Sequence, residues 1–363
     1  MRGQDLLIRN IGWMATMDGG GRVLRDAHLV IRDGFISEVG TGPLPEWGGA
    51  ELDARGGIAL PGMINLHHHM YQNLARAYTP VCNLPLLPWV KEMNKLWDGF
   101  TADDLMVATR VALVELMLSG CTTAMDHHYV FPKGGGDMIA AQFAVADELG
   151  IRFVAGRGSF DIRENLMPAW AVDETDAILE DCERLIHTYH DTAPGSYRQV
   201  ALAPTGPLVV SPRLLEESAT MALRHDALLT THNCESVDEL PWAKQLVGGT
   251  PFEHLLNCGW AEGKTVLAHS IQMDDEAVAL AGKHQMGIAH CPCSNMRLGS
   301  GICRVQDLRK AGAHVGLGVD GSASNDSGHL LNEARLCLYL SRVQNGAASM
   351  SVEEALSIAT LGG

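Results

Sequence analysis

The chain has 363 residues, of which 46% are hydrophobic and 19% charged, a balance that fits a folded globular protein and excludes a disordered one. With 27 Lys and Arg against 43 Asp and Glu, its formal net charge is −16, which excludes a general binder of nucleic acid or anionic membrane, since both need clustered basic side chains. The nine Cys are odd in number and scattered, unlike a secreted disulfide framework, and no apolar run approaches the roughly 18 residues of a membrane span. The N-terminus has no apolar stretch suited to export, so the expectation is a soluble protein of the reducing cytoplasm.

In chain order, residues 1–56 predict a small β-module. LLIRN, AHLVIRDG and FISEVG alternate or run β-branched, and DGGG and RDG mark turns. From residue 57 to 363 the pattern becomes strand then helix, repeated. Expected strands are 57–66, 121–128, 151–157, 198–203, 227–232, 265–269, 286–291 and 314–320. Thr101 with Asp104 reads as a helix N-cap, Gly120 as that helix's stop, and Ser211-Pro212 as another helix start. Leu330–Arg342 supplies the helix after the last strand. This predicts an α/β fold, a (β/α)8 barrel of the TIM type. The rival, a doubly wound sheet, lacks support because neither G-x-G-x-x-G nor G-x-x-x-x-G-K-[ST] is present.

Of the 16 His, His67 and His69 follow the first barrel strand, His232 ends the fifth and His269 the sixth, while Asp320 ends the eighth. Strand C-termini of such a barrel share one face, so these residues are expected to meet there. Imidazole and carboxylate donors suit Zn²⁺ or Fe²⁺. The i, i+2 spacing puts His67 and His69 on one side of an extended segment and sends His68 the other way. His127, His254 and His290 taken singly read equally as core histidines. Glu235, three residues past His232, is expected beside the metal, where a carboxyl moves protons between water and leaving group. No Lys occurs between Lys133 and Lys244, so a lysine bridging two metals at the end of strand 4 is absent and a single divalent ion is expected.

His127, His128 and Tyr129 at the end of strand 2 are expected either to line a pocket or to pack in the core. Arg157, ending strand 3, either contacts a ring carbonyl of a substrate or forms an ion pair. Cys291 and Cys293 form C-x-C, and a thiolate-rich structural metal protein is the non-enzyme alternative. The cytidine-deaminase fold is excluded, because no His has Glu two residues later.

The segments PGMINLHHHMYQ, NLPLLPWVK, SGCTTAMDHHYVFP, THNCES, AHS, CPCSNMRLGSGIC and GVDGSASND together resemble the amidohydrolase superfamily, in its mononuclear nucleobase-deaminase branch. The resemblance implies His67, His69, His232 and Asp320 as ligands of one ion, Zn²⁺ first and Fe²⁺ as alternative. It implies Glu235 as proton shuttle, Asp320 as base and His269 as the residue orienting the hydrolytic water. Gln72 would hydrogen-bond the ring edge of a small heterocyclic substrate and Trp89 would pack on its plane. The implied reaction is hydrolytic deamination of an oxidised purine, 8-oxoguanine to urate and ammonia. Isoxanthopterin or guanine deamination and s-triazine hydrolysis are the alternatives, and a homo-oligomer is common among such enzymes. Two departures stand out. Relatives commonly carry Leu-Ala where this chain has Asn233-Cys234 before Glu235, and they continue past IATLGG with strands that complete the β-module. The module is therefore expected to be an incomplete β-sandwich half, its C-terminal part absent.

Overall fold

A computed structural model describes residues 5–162 and 167–363. The chain forms two compact units. The first runs to Gly62 and includes Ala193–Gly195, and the second holds Met63–Thr192 and Ser196–Gly363.

The first unit is a five-stranded sheet of β1 (Leu6–Ala15), β2 (Val23–Arg32), β3 (Phe35–Thr41), β4 (Ala50–Asp53) and β5 (Ile58–Ala59). Its order is β3-β2-β1-β4, with β5 also on β1. The β2–β3 hairpin turns at Asp33 and Gly34, both at positive φ (51° and 83°), the backbone that matches the twist of a tight hairpin. Ile11, Met14 and Ala27 form its small buried core.

The second unit is a closed, all-parallel barrel whose eight strands follow chain order. They are β6 (Met63–Asn65), β7 (Cys121–His128), β8 (Arg152–Ser159), β9 (Arg198–Pro204), β10 (Leu228–Asn233), β11 (Lys264–His269), β12 (Gly287–His290) and β13 (His314–Leu317). Around them lie α1 (Leu86–Met93), α2 (Ala102–Leu118), α3 (Met138–Leu149), α4 (Thr175–Tyr189), α5 (Pro212–His225), α6 (Glu239–Val247), α7 (Pro251–Asn257), α8 (Asp275–Lys283), α9 (Pro292–Arg297), α10 (Val305–Ala311), α11 (Ser322–Asn325), α12 (Leu330–Asn345) and α13 (Val352–Ala359). The caps read from sequence are formed. Thr101 and Asp104 exchange bonds in a capping box, and the Ser211 hydroxyl accepts from Leu214 N. All nine cysteines are free thiols, and among the described residues no helix is long and apolar enough to cross a membrane.

Two expected strands change. The stretch 57–66 is broken by Pro61, which has no N–H to give a ladder, so Ile58–Ala59 joins the small sheet and only Met63–Asn65 enters the barrel. The stretch 314–320 stops pairing at Leu317. From there Gly318, Val319 and Asp320 bend out of the ladder, and Asp320 takes positive φ (60°). The short β6 is stitched on both sides by buried Asn65. Its Oδ1 accepts from Val319 N at 2.9 Å, and its Nδ2 donates to Met125 O at 3.3 Å.

The outer layer packs closely at Gly282 in α8, where an added methyl carbon would fall 2.2 Å from the Ala311 carbonyl oxygen at the end of α10. Gly282→Ala is expected to force these helices apart and destabilise the barrel by about 1–3 kcal/mol, the usual range for overpacking, read by chemical denaturation.

Candidate active site

Backbone bonds fix the segment after β6. Asp320 N donates to His67 O at 3.0 Å, His127 N to His68 O at 2.8 Å, and Met70 N to the buried carboxylate of Asp126 at 2.7 Å. Asp126 is also held by Gln142 of α3, and burial lifts its carboxyl to about 7. Between these anchors His67 and His69 point to the barrel axis. His68 does not line the mouth, and its Nδ1 accepts from His69 N at 2.8 Å.

The inward imidazoles meet lone pair to lone pair. His69 Nδ1–H donates to His127 O at 2.8 Å and His232 Nδ1–H to Thr205 O at 2.5 Å, which leaves Nε2 of each ring as an acceptor. Those two Nε2 atoms lie 3.0 Å apart. Asp320 Oδ1 lies 3.2 Å from His69 Nε2 and 3.5 Å from His67 Nε2. The other oxygen of Asp320 is taken by Ser294 Oγ at 2.5 Å and Ser324 Oγ at 3.0 Å. His269 Nδ1 bonds Asn295 Oδ1 at 2.9 Å, and its Nε2, without a hydrogen-bond partner, lies 3.5 Å from Glu235 Oε2. One ligand atom from each of His67, His69 and His232 falls within 4.8 Å of the others, as does one from each of His67, His269 and Asp320.

The electrostatics agree with the geometry. Burial depresses the imidazole of His69 to about 3 and drives His232 well below its ordinary value, so neither proton nor positive charge separates the facing lone pairs. For Asp320 burial works upward, but the surrounding imidazoles outweigh it and hold the carboxyl well below the usual range. Glu235 goes the other way, raised well above a normal carboxylic acid by burial and then by the charge of Asp320. Buried, partnerless nitrogens aimed at a carboxylate oxygen are what a divalent cation with N and O ligands requires, so the residues fit such an ion.

The strand ends are strained to make this aim. Cys234, His269, Ser270 and Asp320 all take positive φ between 46° and 65°. Ser270 N donates to Asn233 O, and both Ile271 N and Gln272 N to Cys234 O, tying the ends of β10 and β11 together. Glu235 follows this turn. Glu239 Oε1 accepts from the backbone N–H groups of both Glu235 and Ser236, at 3.1 and 2.8 Å. Asn233 and Cys234, singled out as departures, are buried and absent from the pocket wall. Asn233 binds Ser270 Oγ, and Cys234 belongs to the apolar core.

Above the cluster opens a cavity of about 800 Å³, its mouth included. Leu86, Leu87, Trp89 and Val90 of α1 line it with Tyr129, Phe160 and Trp242. Gln72 and Trp89 both line it. Gln72 packs on Gly321, where any side chain would overlap its amide, and its Oε1 has no partner.

Two expected substrate contacts are not brought there. His128 donates from Nε2 to Val130 O and packs on Phe131. Arg157 binds Asp181 of α4 at 3.0 Å and the Gly158 carbonyl at 2.8 Å. The reason is the two-residue period of a strand. His127 of β7 points inward beside His232, so its neighbour His128 points outward, and Arg157 of β8 likewise faces the helices. Sequence reading gave no role to Thr205, Ser294, Asn295, Ser324 and Glu239, which hold the inward residues. Their only signal was position, Thr205 directly after β9 and the others in the short helices or first helical turns that follow β10, β12 and β13.

Residues 58–363 match the model of the amidohydrolase family. The chain is 46% identical over 339 residues to an 8-oxoguanine deaminase of Pseudomonas aeruginosa, covering 92% of this chain and 76% of that protein. It is 32% identical to an isoxanthopterin deaminase from an unknown prokaryotic organism, over 98% of this chain and 79% of the relative. Among solved structures, atrazine chlorohydrolase from Arthrobacter aurescens TC1 complexed with zinc superposes with a TM-score of 0.94 at 32% identity, covering 98% of this chain and 82% of that one.

Ser294→Ala removes one of the two hydroxyls that orient Asp320. It is expected to weaken metal retention about 10- to 100-fold in a graded chelator challenge, with the fold intact by circular dichroism.

Proposed function

The chain belongs to the amidohydrolase family, and from that premise we propose that it deaminates 8-oxoguanine hydrolytically, giving urate and ammonia. The observation that carries the substrate is the 46% identity to an 8-oxoguanine deaminase across 92% of the chain, against 32% to an isoxanthopterin deaminase. The reaction type is supported by Glu235 standing over the inward imidazoles with a free carboxyl oxygen. Zn²⁺ is the proposed ion, supported by the N and O donor set and by the zinc in the related atrazine chlorohydrolase. The nine free thiols support a reducing compartment, the cytoplasm.

In this proposal His67, His69, His232 and Asp320 hold the ion. Bound there, it supplies a Lewis acid that makes water a nucleophile near neutral pH. The free Nε2 of His269, oriented by Asn295, accepts a hydrogen bond from that water and lines its oxygen up with the amine-bearing ring carbon. Asp320 rests as the carboxylate and takes the water proton. Glu235 rests protonated and gives its proton to the adjacent ring nitrogen as the new C–O bond forms. In the collapse, Asp320 protonates the departing amine, the C–N bond breaks to release ammonia, and Glu235 regains a proton from the new hydroxyl as it becomes the carbonyl. Each carboxyl returns to its starting state. Two carboxyls whose environments push them in opposite directions divide acid from base. Gln72 and Trp89 are proposed to hold the ring, the amide at its edge and the indole against its plane.

Glu235→Gln is expected to keep its metal and lose about 10²- to 10⁴-fold in kcat, the usual worth of a positioned acid-base group. Unchanged turnover would remove Glu235 from the mechanism. With metal-loaded wild type, ammonia should be released from 8-oxoguanine faster than from isoxanthopterin, guanine or amino-s-triazines. Release from triazines alone would overturn the purine reading.

A further inference from the structure

A second group of ligand atoms lies on the outside of the barrel. Glu183 and His187 stand four residues apart on α4 and so share a helix face. His225, the last residue of α5, reaches the same spot. Glu183 Oε1 lies 3.2 Å from His187 Nε2 and 3.0 Å from His225 Nε2, and one ligand atom from each of the three side chains lies within 4.8 Å of the others. The two rings sit edge to face with centroids 5.4 Å apart.

The hydrogen-bond chemistry at His225 suits a cation-binding group. Arg224 Nε lies 3.1 Å from His225 Nε2. A guanidinium has only donors, so this contact requires a lone pair on that nitrogen. The same Nε2 lies 3.0 Å from the carboxylate oxygen of Glu183, which is also an acceptor. If Nε2 carried a proton instead, it would satisfy Glu183 and oppose the arginine donor. Neither tautomer satisfies both neighbours. A cation between the imidazole and the carboxylate satisfies that pair, and it takes the lone pair Arg224 Nε now approaches, so Arg224 must turn away for the ion to bind.

The spacing is right for such an ion. Tetrahedral bonds of about 2.0–2.2 Å space ligand atoms about 3.3–3.6 Å apart, within a few tenths of the two measured contacts. We propose that Glu183, His187 and His225 bind one divalent transition-metal ion, separate from the donors at the barrel mouth, and that the ion clamps α4 to α5. Two imidazoles with a single carboxylate favour Zn²⁺, Ni²⁺ or Cu²⁺ over Mg²⁺ or Ca²⁺, which prefer oxygen. Water completes the shell, since His187 is 67% exposed. Arg224 also pairs with the second oxygen of Glu183, so it competes with the ion and tempers its affinity.

The test uses the holoprotein with its mouth site filled, dialysed against metal-free buffer and titrated with Zn²⁺ by calorimetry. Wild type is expected to take up one further equivalent and to unfold at a higher temperature with Zn²⁺ present. His187→Ala and His225→Ala should each weaken this uptake by at least about tenfold and abolish the thermal shift, with turnover unchanged. Arg224→Gln should tighten it. The proposal is overturned if wild type takes up no further Zn²⁺, or if either histidine variant binds it as tightly as wild type does.

Discussion

Two carbonyl groups set the character of the barrel mouth. By accepting the Nδ1 protons of His69 and His232, the carbonyls of His127 and Thr205 force both Nε2 lone pairs inward, to a separation of 3.0 Å. Burial denies each ring a second proton, so the repulsion has no internal remedy. A polypeptide keeps such a contact only when the rest of the structure holds it there and when something outside the chain relieves it. Asp320 serves the same end. Two serine hydroxyls occupy one of its oxygens and so turn the other onto the histidines.

The backbone around the site explains why strand ends, and not strand middles, carry these groups. Within the ladder every N–H and C=O is committed, and side chains alternate strictly between inside and outside. Past the last paired residue the chain can take conformations a strand forbids. Asp320, Cys234 and Ser270 do so at positive φ, as does His269, the last paired residue of β11. Each such non-glycine residue costs on the order of 1–3 kcal/mol. Cross-strand bonds, such as Ser270 N to Asn233 O and Asp320 N to His67 O, together with Asn65 spanning β7 and the segment after β13, over-determine these conformations.

The same distinction separates what was legible in the sequence from what was not. Runs of β-branched and apolar residues marked the eight strands, and histidine or aspartate at the ends of the first, fifth, sixth and eighth marked the inward donors, because one physical rule places all strand C-termini on one face. Pro61 was visible in the stretch read as the first strand, and its missing N–H is enough to split it. His128 and Arg157 were left open between substrate contact and core packing or an ion pair, because proximity to a strand end was taken without the phase of the strand, and the structure shows the second reading of each. Knowing that His127 points inward determines that His128 does not. Ser294, Asn295 and Ser324 gave no such signal. Short polar residues after a strand are common, and only the fold brings these against Asp320 and His269.

The charge of the pocket bears on which molecules pass through it. Its described wall holds three carboxyls, Glu235, Glu239 and Asp320, and no Lys or Arg, within an otherwise largely apolar and aromatic lining. A neutral planar ring would bury its faces on α1 and the aromatics and meet polar groups only at its edge. Under the proposed reaction the ring that enters is neutral and the urate that leaves is an anion. Glu239 stands with one oxygen bound to two backbone N–H groups, and burial lifts its carboxyl to about 7, so it becomes charged in the same range in which cells operate. With the proposed divalent ion in place and Glu235 protonated, the charges of Asp320 and of an ionised Glu239 offset the ion, so the mouth is close to neutral as a whole and suits an uncharged ring.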